Sequence, residues 1–334
     1  MVRLISPEDG YLFDTHTDLQ NTFIKKIHTD GTDEAHDFLT SCKNGAELSY
    51  PRTLTLIWED DGADAYTVEV SETDGFDAPF LTVTTTDTSC EIENLKIGQT
   101  YFWRVSGGEV RSFTTKADAP RFIHIDGAKN ARDIGGGKIR QGLLYRGSEL
   151  ERCLSISEAG KHTFTDVLGI KTELDLRLDM LGKIDRSAAG DAVSLVQIPN
   201  DAYLEIFKDE YRKGIVRAMD FFANEENYPV YFHCLIGADR TGMIALYLRA
   251  IAGENDAELL TDYQMTSLTT VAQGEEGSGG GNYRKTNSSW FAAFLDELKK
   301  TVPGETLAER ILAYLLSCGV TEAQLDKIRS IIKK

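Results

Sequence analysis

PVYFHCLIGADRTGMIALYLRAIAG, residues 229–253, decides the reading of the chain. A short apolar run, a loop with a glycine at its centre, and apolar residues at helical spacing closed by Gly253 predict a buried strand, a tight loop and a helix. Inside that frame stand His233, Cys234, Leu235, Ile236, Gly237, Ala238, Asp239, Arg240, Thr241 and Gly242. A loop bent at Gly237 lets the backbone N–H groups of Leu235, Ile236, Gly237 and Ala238 converge on one point. The helix N-terminus adds unpaired donors and the positive end of its dipole. Such a cradle suits a tetrahedral oxyanion. Cys234 enters at its base, where the field favours thiolate over thiol. Arg240 can fold back and grip two oxygens with its planar fork, which a lysine could not do. Thr241 serves either as a helix cap or as a hydroxyl donor to the sulfur. His233 either orients the loop or is satisfied by strand backbone.

Working outward, strands alternate with helices. ISEAGKHTFTDVL reads as a helix before the strand GIKTELDLRL; DAVSLVQIPN is another strand; AYLEIFKDEYRKGIVRAMDFFANEEN carries helical spacing. The alternation predicts a largely parallel sheet covered on both faces. Beyond it the chain is helical apart from GEEGSGGGNYRK, residues 274–285. That stretch is either a flexible surface loop or a lid bringing Tyr283, Arg284 and Lys285 over the cradle.

HCxxGxxRTG in a strand-loop-helix setting resembles the signature of the cysteine-dependent protein-tyrosine phosphatase superfamily. NARDIGGGKIRQGLLYRGSEL, with Arg132, Asp133, Gly135, Gly136, Tyr145, Arg146 and Ser148, is similar to the NFRDLGG and YRS segments of its bacterial branch; LGIKTELDLRL is similar to that branch's DLR strand. The resemblance spans essentially 122–334. It implies an α/β phosphatase domain and a two-step reaction through a cysteinyl-phosphate, with no metal or other cofactor. Where the branch often carries lysine, this chain has Ala238. The expectation is therefore phosphotyrosine or mixed phosphoprotein substrates, or a small phosphate ester, with phosphoinositide or inositol phosphate the alternative. A non-catalytic phosphate-binding module is a further alternative, disfavoured by the presence of both Cys234 and Arg240. A rhodanese-like sulfur transferase fails on the RTG ending.

The general acid stays open between three aspartates. Asp201, in QIPNDAY, lies where dual-specificity phosphatases keep their acid; Asp239 lies just before the arginine, as in some lipid phosphatases. Asp175 ends a strand beside the one that supplies the nucleophile. Arg132 and Asp133 are expected to pair and brace a glycine turn.

The first third is different in kind. From TLTLIWE at 53 to SFTT at 115, short alternating strands separated by turn residues predict an all-β antiparallel sandwich. Trp58, YTVEVS and LKIGQTYFWRV resemble a fibronectin type III domain, a spacer or a docking module for a protein or glycan. Residues 14–48 are longer and more polar than that family's early strands, so an insertion or helical excursion is expected there. KADAPRF, 116–122, links this unit (1–117) to the phosphatase-like one (118–334), and the second unit alone is expected to keep activity toward small substrates. The net charge is −17, of which −13 falls in residues 1–118. That excess disfavours nucleic acid and anionic membrane. Five widely spaced cysteines without CxxC fit neither a disulfide framework nor a zinc site. No apolar run is long enough to span a bilayer, and MVRLISPEDG lacks a leader's apolar core; a cytoplasmic location is expected, or secretion if a leader was removed.

Overall fold

Period-two burial builds the first two sheets. β1 (Leu4–Ser6), β3 (Leu54–Trp58) and β6 (Ser89–Ile92) pair antiparallel in the order β1-β3-β6. The second sheet has the order β2 (Tyr11–Phe13), β8 (Val110–Thr115), β7 (Thr100–Val105), β4 (Tyr66–Ser71), β5 (Leu81–Thr85). Leu54, Leu56 and Trp58 of β3 and Tyr101, Trp103 and Val105 of β7 face one shared core. Each such side chain contributes about 1.5–3 kcal/mol on burial. One pair departs from the expected antiparallel pattern: β2 runs parallel to β8. No hairpin joins them, so no turn sets their relative direction. The computed structural model describes residues 2–42, 45–177, 184–272, 284–287 and 289–334.

The polar stretch after β2 is helical. α1 (Asp18–Thr29) starts at Thr17, whose hydroxyl accepts from Gln20 N–H while the Gln20 side chain accepts from Thr17 N–H. Gly31, at φ +108°, turns the chain into α2 (Thr32–Ser41). Phe23, Ala35 and Leu39 of this pair bury against Phe122, Met265 and Leu268. His16 Nε2 meets Pro120 O at 2.7 Å, and Glu47 accepts from the Thr269 and Thr270 hydroxyls. The change in periodicity near residue 118 therefore does not separate the contacts: the helical excursion packs on the segment beyond the linker.

The third sheet carries the site. Its order is β13 (Ser194–Gln197), β12 (Thr172–Asp175), β14 (Val230–His233), β11 (Leu144–Gly147), β10 (Arg132–Asp133), β9 (Arg121–Phe122). The first four are parallel, as expected, and the two short edge strands are antiparallel. Gly147 and Asp175 both lie opposite His233, so three central strands end level with one another. Ligands bind outside the carboxyl ends of such strands. α3 (Glu158–His162), extended by a π turn, α4 (Asp209–Phe222), α5 (Asp239–Ala252), α6 (Asp256–Gln264), α7 (Ser289–Thr301), α8 (Leu307–Ser317) and α9 (Glu322–Ile332) complete the unit. α5 is buried along nearly its whole length and ends at Gly253, φ +83°. Among the described residues no helix is long and apolar enough to cross a membrane.

Phe23 is fully buried between the inserted helices and the phosphatase-like part. Phe23→Ala is expected to cost roughly 3–5 kcal/mol in urea unfolding, as a core cavity does. A loss below about 1 kcal/mol, the scale of surface changes, would mean that α1 does not dock as described.

Candidate active site

Cys234 is buried at the end of β14, and the loop from it to α5 is shaped by what its carbonyls bond. Cys234 O accepts from His233 Nδ1 at 2.9 Å, Leu235 O from Glu149 N–H at 3.0 Å, and Ile236 O and Gly237 O from Asn130 Nδ2 at 3.0 Å each. Arg146 Nη2 adds a second bond to Gly237 O at 2.7 Å, and Ala238 O accepts from Gly242 N–H in α5. Every carbonyl from Cys234 to Ala238 is thus held by a donor. The N–H groups of Leu235 to Ala238 have no acceptor among the described residues. Successive backbone N–H groups left open in this way make anion-binding concavities.

Gly237 is required twice over. Its φ is +70°, and a Cβ there would stand 2.3 Å from Gly147 O. Asn130, which clamps the loop, is itself at φ +58° and buried.

Behind the loop lies a buried charge cluster. Asp262 Oδ1 accepts from Arg132 Nε at 2.8 Å and its Oδ2 from Arg146 Nη1 at 2.5 Å, with Arg249 3.8 Å away. Burial alone would raise the Asp262 carboxyl, but the guanidinium groups of Arg132, Arg146 and Arg249 override it and hold it far below the usual carboxylate range. Burial and the neighbouring Arg132 pull Arg146 down to about 10. Arg132 consequently does not pair with Asp133, as the sequence suggested. Adjacent strand residues face opposite sides, and Asp133 alone braces the glycine turn, accepting from Gly135 and Gly142 N–H and from Arg121.

His233 is fully buried, and its Nε2 lies 2.8 Å from Glu173 Oε1 on β12. Burial opposes the imidazolium, yet Glu173 outweighs it and raises His233 to about 9. A positive charge is thereby fixed one residue from Cys234.

A cleft of about 570 Å³ opens at the loop, lined by Cys234, Leu235, Ile236, Asp239, Arg240, Asp201, Tyr203, Leu204, Glu205, Arg284 and Trp290. Arg240 is half-buried there, and its guanidinium has no hydrogen bond or ion pair among the described residues. Asp201 lines the cleft with its Oδ1 accepting from Ala202 N–H at 2.8 Å. Asp239, the first residue of α5, is bound by Arg284 through Nε to Oδ1 at 2.9 Å and Nη2 to Oδ2 at 3.1 Å, and accepts from the Tyr203 hydroxyl.

The side chains of three candidates lie apart from the cleft. Asp175 faces no cleft: its oxygens accept from Arg177 N, Nε and Nη2 and from Gln197 Nε2. Burial would raise its carboxyl, but the Arg177 hydrogen bonds and the His233 charge lower it, which suits a brace and not an acid. The Ala238 side chain is completely buried and lines no part of the cleft, so what Ala238 itself offers the loop is its backbone N–H. Thr241 is also buried, and its Oγ1 bonds neither the Cys234 sulfur nor any other described group. Of the residues 283–285 named as a lid, Arg284 does reach the cleft, Lys285 turns to Asp33, and Tyr283 lies outside the described residues. Asn130, Glu173, Asp262, Tyr203 and Trp290 escaped the sequence reading, since they lie far from the signature in the chain. Asp262, in DAELLTDYQM, and Glu173, in GIKTELDLRL, each stand among other polar residues, so neither carried a signal of its own.

A profile of the tyrosine phosphatase family matches residues 123–333. The chain belongs to that family. A Cupriavidus necator protein named as a tyrosine-protein phosphatase is 26% identical over 171 residues, 42% of this chain and 61% of that protein. Among solved structures, P. aeruginosa TpbA is similar at 18% identity and a TM-score of 0.36, covering 60% of this chain and 95% of its own. The catalytic core of the S. cerevisiae PP-IP phosphatase Siw14 is similar at 16% identity and a TM-score of 0.30, covering 39% and 75%.

The His233–Glu173 pair makes stability depend on pH with a definite sign. A histidine raised in the folded state stabilises fully below its unfolded value of about 6.5 and loses that contribution as pH rises through its folded value. With His233 at about 9, wild-type protein is expected to lose on the order of a few kcal/mol between pH 6.5 and 9. Urea unfolding across that window checks it: Glu173→Gln should flatten the decline, and an equally steep decline in that variant would show that the pair is not its source.

Proposed function

We propose that this chain hydrolyses phosphate monoesters through a cysteinyl-phosphate intermediate, with Cys234 as nucleophile and Arg240 as the phosphate clamp. The observation that carries the reading is the combination in one cleft of unpaired loop N–H donors, a sulfur at their base and a half-buried guanidinium without a partner among the described residues. In the first step the Cys234 sulfur forms a bond to phosphorus as the phosphorus–oxygen ester bond breaks, and the leaving oxygen takes a proton from an acid. In the second, water attacks phosphorus, its proton returns to the conjugate base, and the sulfur leaves with the electron pair of the S–P bond. The loop N–H groups and Arg240 hold the equatorial oxygens, whose charge they stabilise most in the transition state. No metal enters this sequence.

Asp201 is the acid we favour. It borders the cleft, whereas Asp239 has both oxygens engaged by Arg284 and one also by Tyr203. For the substrate we favour phosphotyrosine in a protein. Trp290, 68% exposed, Leu204, 45%, and Leu235, 39%, form an apolar rim to the cleft, a surface that an aryl ring covers and a polyhydroxylated inositol does not. Arg284 is committed to Asp239, which leaves Arg240 as the uncommitted cation among the described lining residues and suits a single phosphate. The two sheets of the first third fit a fibronectin type III-like sandwich. Their orders β1-β3-β6 and β2-β8-β7-β4-β5 support that reading apart from the added parallel edge strand β2, as does the Tyr101 hydroxyl accepting from Lys96 N–H at 2.9 Å, a tyrosine corner.

Turnover of para-nitrophenyl phosphate and of phosphotyrosine peptides tests the reading. Cys234→Ser is expected to abolish turnover and still bind vanadate, and Arg240→Lys to lose both binding and rate, because a point charge cannot replace the fork. Full activity in Cys234→Ser would overturn the nucleophile assignment. Asp201→Asn is expected to slow alkyl esters, on the order of 10²-fold or more, while sparing esters of acidic phenols, and to flatten the basic limb of the pH profile. Equal slowing of both would remove Asp201 from the acid's role.

A further inference from the structure

The residues just before α7 tie the cleft to the helices inserted in the first third. Asp33, on α2, accepts from Lys285 Nζ at 2.9 Å with one oxygen and from Asn287 Nδ2 at 2.8 Å with the other. The Thr32 and Thr286 hydroxyls meet at 3.2 Å. Ser267 Oγ accepts from Arg284 N–H at 2.9 Å and lies 3.0 Å from His36 Nε2. His36 Nδ1 lies 2.7 Å from Thr32 O, an acceptor only, so Nδ1 carries the hydrogen and Nε2 accepts from the Ser267 hydroxyl. That direction needs a neutral ring, and burial does push His36 down, to about 4. Residues 284–287 are thus fastened to α2 at several points, and Arg284 extends from them into the cleft.

Arg284 meets a specific electrostatic need there. Asp239 directly precedes Arg240 at the mouth of an anion site, and a bare carboxylate at that position would repel an incoming phosphate dianion. The Arg284 guanidinium, donating from Nη2 to Oδ2 with Nε 2.9 Å from Oδ1, offsets its charge. We propose that α2 is a positioning element of the active site: through Asp33 it holds residues 284–287 so that Arg284 neutralises Asp239 beside the phosphate-binding loop. Asp33 is a positioning residue, and the first third of the chain is needed for full affinity even toward small phosphate esters. The expectation that residues 118–334 suffice is replaced by this dependence. The inference rests on the phosphatase reading above.

The test uses the full chain with three variants, Asp33→Lys, Arg284→Ala and the two combined, and reads KM and kcat for para-nitrophenyl phosphate, the inhibition constant of vanadate and Tm. Charge repulsion acts on binding, so Asp33→Lys and Arg284→Ala are each expected to raise KM and weaken vanadate on the order of tenfold, with a smaller change in kcat. If Asp33 acts through Arg284, the double variant is no worse than Arg284→Ala alone. Exchanging the charges, Asp33→Lys with Lys285→Asp, should restore KM, which separates positioning from a general loss of structure. Unchanged KM in Asp33→Lys, or losses that simply add in the double variant, would overturn the proposal while leaving the phosphatase reading intact. An inactive wild-type protein that also fails to bind vanadate would overturn both.

Discussion

The outward anchoring of the loop carbonyls is the constraint on which the rest of the site depends. The peptide groups of a five-residue turn between a buried strand and a buried helix need partners. Here Asn130, Arg146 and the Glu149 N–H occupy the carbonyls from outside, so the opposing N–H groups remain for a ligand. The arrangement fixes neighbouring choices: Gly237 because Gly147 O stands where a Cβ would be, Asn130 in a backbone conformation that asparagine tolerates better than most residues, and Arg146 fully buried.

Burying Arg146 has a cost that the Asp262 cluster offsets. Two fully buried guanidinium groups share one carboxylate, and Arg249 is divided between it and Glu254. Such a cluster contributes little net stability compared with an apolar core, but removing a single partner leaves an uncompensated charge worth several kcal/mol. Its role is to place one rigid donor fork against the Gly237 carbonyl. The Glu173–His233 pair does similar work on the opposite side, fixing a charged ring against the Cys234 carbonyl.

The parts of the fold legible in sequence were those set by local pattern. β14 and α5 follow from an apolar run and a glycine stop, and the sheets of the first third from alternation, while residues 14–48 were marked as an insertion or helical excursion only by their length and polarity. Less legible was anything that depends on which distant segments meet. Asp175 looked like an acid because its strand ends at the crevice, and only the position of Arg177 and Gln197 shows its oxygens to be occupied. Ala238 looked like a missing cation, yet its side chain is buried and Arg284 arrives from elsewhere in the chain. The boundary near residue 118 marks a change of periodicity, while the contacts of Phe23, Leu39 and Asp33 cross it.

The most direct measurement is rapid acid quenching of wild-type protein during turnover of a phosphotyrosine peptide, followed by mass spectrometry of the proteolytic fragments. One phosphoryl group is expected on the fragment containing Cys234, on its sulfur, disappearing at the rate of phosphate release. Phosphoryl transfer to any other residue, or full turnover with no phosphorylated fragment formed at a competent rate, would contradict that expectation.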